Sequence, residues 1–195
     1  MNSPMQLLSA AVACGIFALS SSATLRAQAP PTDPQIVGIV VAANEIDIDA
    51  GKLALSKTHN KEVHDFAQQM VTDHTSVQNS VSALGAKLHV TPADSETATS
   101  LKKQAAETTE KLKSLHGAAF DKAYIENEVT YHAAVIDTVS KVLIPNAQNA
   151  ELKSALEGAA PMFQGHLEHA KQLQSSMEGK SSASASTHIH RGKAL

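Results

Sequence analysis

A chain of 195 residues can bury one core of ordinary size and is too short for two. Its 16 basic and 19 acidic side chains leave a net charge of −3 without a basic run, which argues against nucleic acid or an anionic membrane surface as partner. With no tryptophan, two tyrosines and four phenylalanines there is no aromatic stacking platform, whereas the abundance of helix-forming residues predicts an all-α fold.

Residues 1–29 read as a signal peptide. The apolar run from Leu7 to Leu19 is too short to span a bilayer and ends in small residues, with cleavage expected after Ala29 or after Ala23. An exported, periplasmic protein without a membrane span after cleavage is therefore expected. Cys14, the single cysteine, lies inside that run. The exported chain would then have neither a disulfide nor a thiolate, and any metal site must use nitrogen and oxygen.

Residues 30–33 form a Pro-containing linker, and residues 34–178 carry the helical periodicity of one domain. Asp33 followed by Pro34 predicts a cap and first helical position, opening a helix to about Thr58 with an inward stripe of Ile36, Val40, Ala43, Asp47, Ala50 and Ala54. Asn60 is expected to cap a second helix ending near His89, whose stripe is Val63, Phe66, Met70, His74, Val77, Val81, Leu84 and Leu88. Residues 90–100 read as a polar loop and residues 101–116 as a helix on the surface. Past Gly117, a third long helix runs to Ile144 with Phe120, Tyr124, Glu128, His132, Val135, Val139 and Val142 inward. Pro145 and Asn146 separate it from the last, whose stripe is Leu152, Leu156, Ala159, Phe163, His166, His169 or Ala170, Leu173 and Met177, with Pro161 expected to kink it. Residues 179–195 are small, polar and aperiodic, and are expected to form a disordered tail. Short links within each pair of long helices and a long helical crossover between the pairs describe a ferritin-like four-helix bundle.

Ionisable side chains interrupt all four stripes near mid-helix: Asp47, His74, Glu128, His132, His166 and His169. Helices of similar length share a midpoint level, and at about 1.5 Å rise per residue these side chains fall within roughly 9 Å of it. Buried unpaired polar groups are costly, so the six must pair with one another, hold water or coordinate a cation. The pairs Glu128/His132 and His166/His169 lie one turn apart, close enough for each pair to reach one ion.

Two carboxylates and four imidazoles suit a single Zn, Cu, Ni or Fe ion better than a di-iron centre, which uses four carboxylates and two histidines. Asp73 points about 100° away from His74 on the helix and is expected to orient or lie at the surface. His59, His64, His89 and His116 fall at outer or terminal positions, and Met70, Met162 and Met177 read as core filler. Two competing readings remain: a His/carboxylate hydrogen-bond network in a non-enzymatic envelope protein, or a pH-responsive bundle. Neither an activated nucleophile nor a phosphate loop emerges, so no hydrolase or transferase is expected and no reaction is assigned.

The stretches IDIDAGKLALSK (residues 46–57), VHDFAQQMVTDHT (63–75), GAAFDKAYIENEVTYH (117–132) and HLEHAKQL (166–173) resemble the bacterial exported domain of unknown function 4142. Its AQxMVxDH and FDxxY elements are the specific ones, and the resemblance covers roughly residues 34–177. It implies a ferritin-like fold and an envelope location, with the label of predicted outer membrane protein, but no activity. No barrel-strand alternation accompanies that label here, so a soluble periplasmic protein is the expectation. Against the ferritin-like ligand pattern, Asp47 and Glu128 stand for the single carboxylates and His74 and His169 for the histidines. Val71 and His166 occupy the places of the remaining two glutamates, a departure that argues against di-iron oxidation chemistry.

Overall fold

A computed structural model describes residues 29–191 of the chain, with side chains described as far as Gly179. The expected signal peptide and Cys14 lie outside the described residues, apart from Ala29 at its end. Among the described residues all regular structure is helical: α1 (Asp33–Lys57), α2 (Lys61–Leu88), α3 (Glu96–Ser114), α4 (Gly117–Thr138), a π-helical segment (Val139–Leu143), the single turn α5 (Ile144–Asn146) and α6 (Ala150–Arg191). None of these helices is long and apolar enough to cross a membrane.

The caps explain most of the boundaries. Thr32, not Asp33, is the N-cap of α1, and its backbone N–H donates to the Gln35 side chain at 3.0 Å. The Asp33 carboxylate instead accepts the backbone N–H groups of Gln148 at 2.8 Å and Asn149 at 2.9 Å, tying the start of α1 to the α5–α6 turn. Asn149 in turn caps α6 by accepting from Glu151 and Leu152, and Asn60 caps α2 as its sequence position predicts. Helix α3 begins at Glu96, inside the stretch expected to be a loop, because the Ser95 hydroxyl accepts from Ala98 N at 3.1 Å and starts the helix early. At the other end, α6 is helical to Arg191, beyond the end expected near residue 178. No proline or glycine interrupts residues 180–191, and their alanines and serines are compatible with a continued helix.

Helix α1 packs most extensively on α2, and α4 on α6, while α2–α6 and α1–α4 contacts join the two pairs; α3 lies across α1 and touches α4. Gly51 permits the α1–α2 approach, since a Cβ there would sit 2.8 Å from the Val71 side chain and 3.2 Å from the Ala67 carbonyl. Gly38 does the same for the loop after α2, where Ala93 N donates to Pro34 O at 2.9 Å.

A π-helical segment ends the long helix begun by α4. Ile144 N donates to Val139 O, five residues back, immediately before Pro145, which has no N–H and whose ring cannot follow an ordinary α-turn. Leu143, four residues after buried Val139, is buried, and Val142, expected inward, is 38% exposed.

Two apolar clusters fill the interior. One gathers Ile36, Val40, Val81, Val139, Leu143, Leu152, Leu156 and Phe163. The other gathers Ala54, Val63, Phe66, Met70, Phe120, Tyr124, Ile125, Ala170 and Leu173. Between their levels along the long helices lie the buried polar residues Asn44, Asp47, His74, Glu128, His132 and His166.

Candidate metal centre

Each long helix delivers its polar residue by the spacing that buries its neighbours. On α1 the inward row runs Val40, Asn44, Asp47, Gly51, Ala54, at alternating intervals of four and three. On α2 His74 follows Met70 by one turn, on α4 Glu128 and His132 follow Tyr124, and on α6 His166 follows Phe163.

The outer nitrogen of each central histidine is tied to an acceptor. His74 Nδ1–H donates to Asn44 Oδ1 at 2.9 Å. The Asn44 amide is oriented by its own Nδ2, which donates to Val40 O at 2.8 Å, so its oxygen faces the imidazole. His132 Nδ1–H donates to the backbone carbonyl of Glu128 at 3.0 Å. His166 Nε2–H donates to Asp73 Oδ2 at 2.9 Å. These anchors set the tautomers, leaving the lone pairs on His74 Nε2, His132 Nε2 and His166 Nδ1, none of which has a hydrogen-bond partner among the described residues.

The three rings meet, with centroids 5.3 Å apart for His74/His166 and for His132/His166 and 5.6 Å for His74/His132. Each offers a ring nitrogen within 4.8 Å of the others, and Asp47, Glu128 and His132 form a second such trio. Asp47 Oδ2 lies 3.0 Å from His74 Nε2 and 3.4 Å from His132 Nε2, so the acid of α1 joins the two groups.

The electrostatics follow from burial. All four carboxylate oxygens of Asp47 and Glu128 are buried without a hydrogen-bond donor. Burial, reinforced by the Glu128 charge, raises the Asp47 pKa well above the carboxylate range. Burial, partly offset by the Asn127 side chain, pushes Glu128 up to about 8. Burial also lowers His74 to about 3, with His132 and His166 adding like-charge repulsion. His166 is lowered by burial as well, but the Asp73 hydrogen bond opposes the shift. Tyr124 and Tyr131 are raised by burial and the two nearby acids.

Five of the six side chains singled out in the sequence thus converge: Asp47, His74, Glu128, His132 and His166. His169 stands apart from both trios. Ala170 takes the fully buried position on α6, and His169 turns to Gln69, at 3.2 Å from its Oε1, with its ring edge-on to Phe66. Asp73 holds His166 from outside the cluster. Asn44 is the participant that the sequence reading passed over. Its position four after Val40 and three before Asp47 carries the signal, although the inward stripe read from the sequence takes Ala43 instead.

Ligand atoms of one tetrahedral zinc-sized ion lie about 3.3 Å apart and these atoms lie within 4.8 Å of one another, so seating an ion would draw the widest pairs together by up to about 1.5 Å. Both trios share His132, whose Nδ1 is engaged by the Glu128 carbonyl and lies 3.4 Å from Glu128 Oε2, leaving Nε2 as its one free nitrogen, which favours one ion over two. Two ionised carboxylates would neutralise one divalent charge.

No curated protein and no solved structure matches the chain. The family model described as domain of unknown function (DUF4142) matches residues 18–173. The match takes in α1 to α5 and α6 as far as Leu173, and with it every member of the polar cluster; the chain belongs to the DUF4142 family.

Proposed function

We propose that this protein is an exported ferritin-like bundle of the cell envelope that binds one divalent transition-metal ion at mid-bundle, for metal handling or stress protection. The observation that carries the reading is the convergence of three imidazole lone pairs whose outer nitrogens are already held. An imidazole fixed from behind by a carboxylate, carbonyl or amide is the arrangement that orients histidine toward a metal. His74, His132 and His166 would supply nitrogen and Asp47 oxygen, with Glu128 balancing charge; Zn, Cu, Ni and Fe fit this donor set. The pairing of α1 with α2 and of α4 with α6, with α3 as the crossover, supports the ferritin-like arrangement.

A bound ion would act as a Lewis acid or as a redox centre. The chain's own contribution is to pre-orient three rings, exclude water and supply two acids whose protons leave as the ion enters. A second reading has one observation in its favour: Asp47 Oδ2 and His74 Nε2 lie 3.0 Å apart, a hydrogen-bond length if Asp47 carries the proton. In that reading the layer is a hydrogen-bonded network that sets helix register.

Elemental analysis of the full chain carrying His188→Ala and His190→Ala, the two histidines that follow Gly179 in the sequence, separates the two. About one equivalent of metal, lost when His74→Ala and His166→Ala are added, is expected. Metal-free protein that binds none on titration would leave the network reading standing.

A further inference from the structure

Few ways into the polar layer are open to a cation. The two apolar clusters close it off on either side along the helices. The α1–α2 interface is tight at Gly51, and α4 packs extensively on α6. On the α1–α4 side the Tyr131 hydroxyl donates to Ala43 O at 2.8 Å, and α3 lies across α1 and touches α4. A cavity of about 340 Å³ also borders the layer, but its walls are mostly apolar, and the Asp47 oxygens, His74 Nε2 and His132 Nε2 are buried beneath its surface. A hydrated cation entering there would shed water with nothing to replace it.

The seam between α2 and α6 differs, because its cross-links are polar and reach solvent. His166 Nε2 is bonded to Asp73 Oδ2 at 2.9 Å, and one turn along the seam His169 Nδ1 lies 3.2 Å from Gln69 Oε1. The Asp73 side chain is 33% exposed, Gln69 is exposed and His169 is half-buried. Among the anchors of the three central imidazoles, only Asp73 opens to water: Asn44 is buried, and His132 is held by the backbone carbonyl of buried Glu128. His166 is therefore the one ring with its outer nitrogen on a solvent-facing carboxylate and its inner nitrogen, Nδ1, in the cluster. A carboxylate and an imidazole at the surface are groups for which a divalent transition-metal ion exchanges its water.

We infer that a divalent transition-metal ion enters through the α2–α6 seam, taken up first by the Asp73 carboxylate and the His169 imidazole and admitted to the centre by a turn of the His166 ring. This entry route rests on the metal reading proposed above. When the Asp73 carboxylate takes up a cation, it releases His166 Nε2–H, the bond that holds the ring across the seam. The ring then turns aside about its side-chain torsions and, on returning, presents Nδ1 to the centre. Departure retraces the same path, so the outer pair sets the rates in both directions and leaves the equilibrium to the inner ligands.

Stopped-flow mixing of the metal-free full chain, carrying His188→Ala and His190→Ala, with cobalt(II) is the test, followed by the visible absorption of the bound ion. His169→Ala should slow association and dissociation alike, about fivefold each, at unchanged equilibrium affinity. Asp73→Asn keeps an oxygen to accept from His166 but removes the charge, and should slow association about tenfold and flatten its dependence on ionic strength. Tyr131→Phe, which unbolts the α1–α4 side, should leave association unchanged. Association at the wild-type rate in either seam variant, or faster association in Tyr131→Phe, would overturn the proposal. So would an Asp73→Asn variant whose only change is faster dissociation, the mark of a residue that merely holds His166. Any of these results with cobalt bound at equilibrium overturns the entry route alone, whereas a wild type that binds no cobalt overturns the metal reading and the route together.

Discussion

Replacing Glu128 with glutamine should change how the metal-free protein responds to alkaline pH. Glu128 is fully buried, and burial, only partly offset by the Asn127 side chain, raises its pKa from 4.5 to about 8. The folded state therefore holds a proton that the unfolded state has released throughout that interval. With the folded pKa above the unfolded one, the associated stability is complete below about 4.5 and is lost as pH rises through about 8. His74 acts in the opposite sense: lowered from 6.5 to about 3, it costs stability as pH falls below 6.5, so its contribution is constant at higher pH. The interval from pH 6.5 to 8 thus isolates the acids. At about 1.4 kcal/mol per pH unit, Glu128 alone accounts for a loss of about 2 kcal/mol there. Urea unfolding of chelator-treated protein at pH 6.5, 7.2, 8 and 9 measures it. The wild type should lose stability across the series, and Glu128→Gln, a neutral isostere, should flatten the decline and exceed the wild type at pH 9. Parallel curves for the two proteins would refute the argument that burial holds this carboxyl protonated.

Other expectations concern the supports of the cluster. Asn44→Leu removes the acceptor that holds His74 Nδ1–H, and should weaken metal affinity about 10- to 100-fold in a competition titration with a chromogenic chelator, without removing any ligand. Gly51→Ala forces α1 from α2 at Val71 and the Ala67 carbonyl, and should lower unfolding stability by about 1–3 kcal/mol in urea melts. His169→Ala should leave metal stoichiometry and affinity unchanged in the same chelator competition, since this ring faces Gln69 and Phe66.

The long helices were legible because their hydrophobic spacing and their breakers agree, as at Asn60, where cap and periodicity mark the same boundary. The polar layer was legible for a related reason, since an ionisable residue on an apolar stripe must be buried or break the stripe. What escaped was whatever depends on a partner remote in sequence. Asp33 reads as a local cap, yet its carboxylate is claimed by the backbone of Gln148 and Asn149. Val142 and Leu143 are near-equivalent by spacing from Val139, and only packing puts Leu143 in the core and Val142 outside. His169 and Ala170 are equivalent by spacing, and only packing beside Phe66 decides between them. Asn44 was missed because a buried amide looks like an exception until the imidazole it holds is in place across the α1–α2 interface.

X-ray absorption at the zinc edge, on protein loaded with one equivalent of zinc and lacking His188 and His190, tests the central claim most directly. Three imidazole nitrogens and one carboxylate oxygen at about 2.0–2.1 Å are predicted. A first coordination shell with fewer than two imidazoles, or dominated by oxygen, would contradict the convergence of His74, His132 and His166 on one ion.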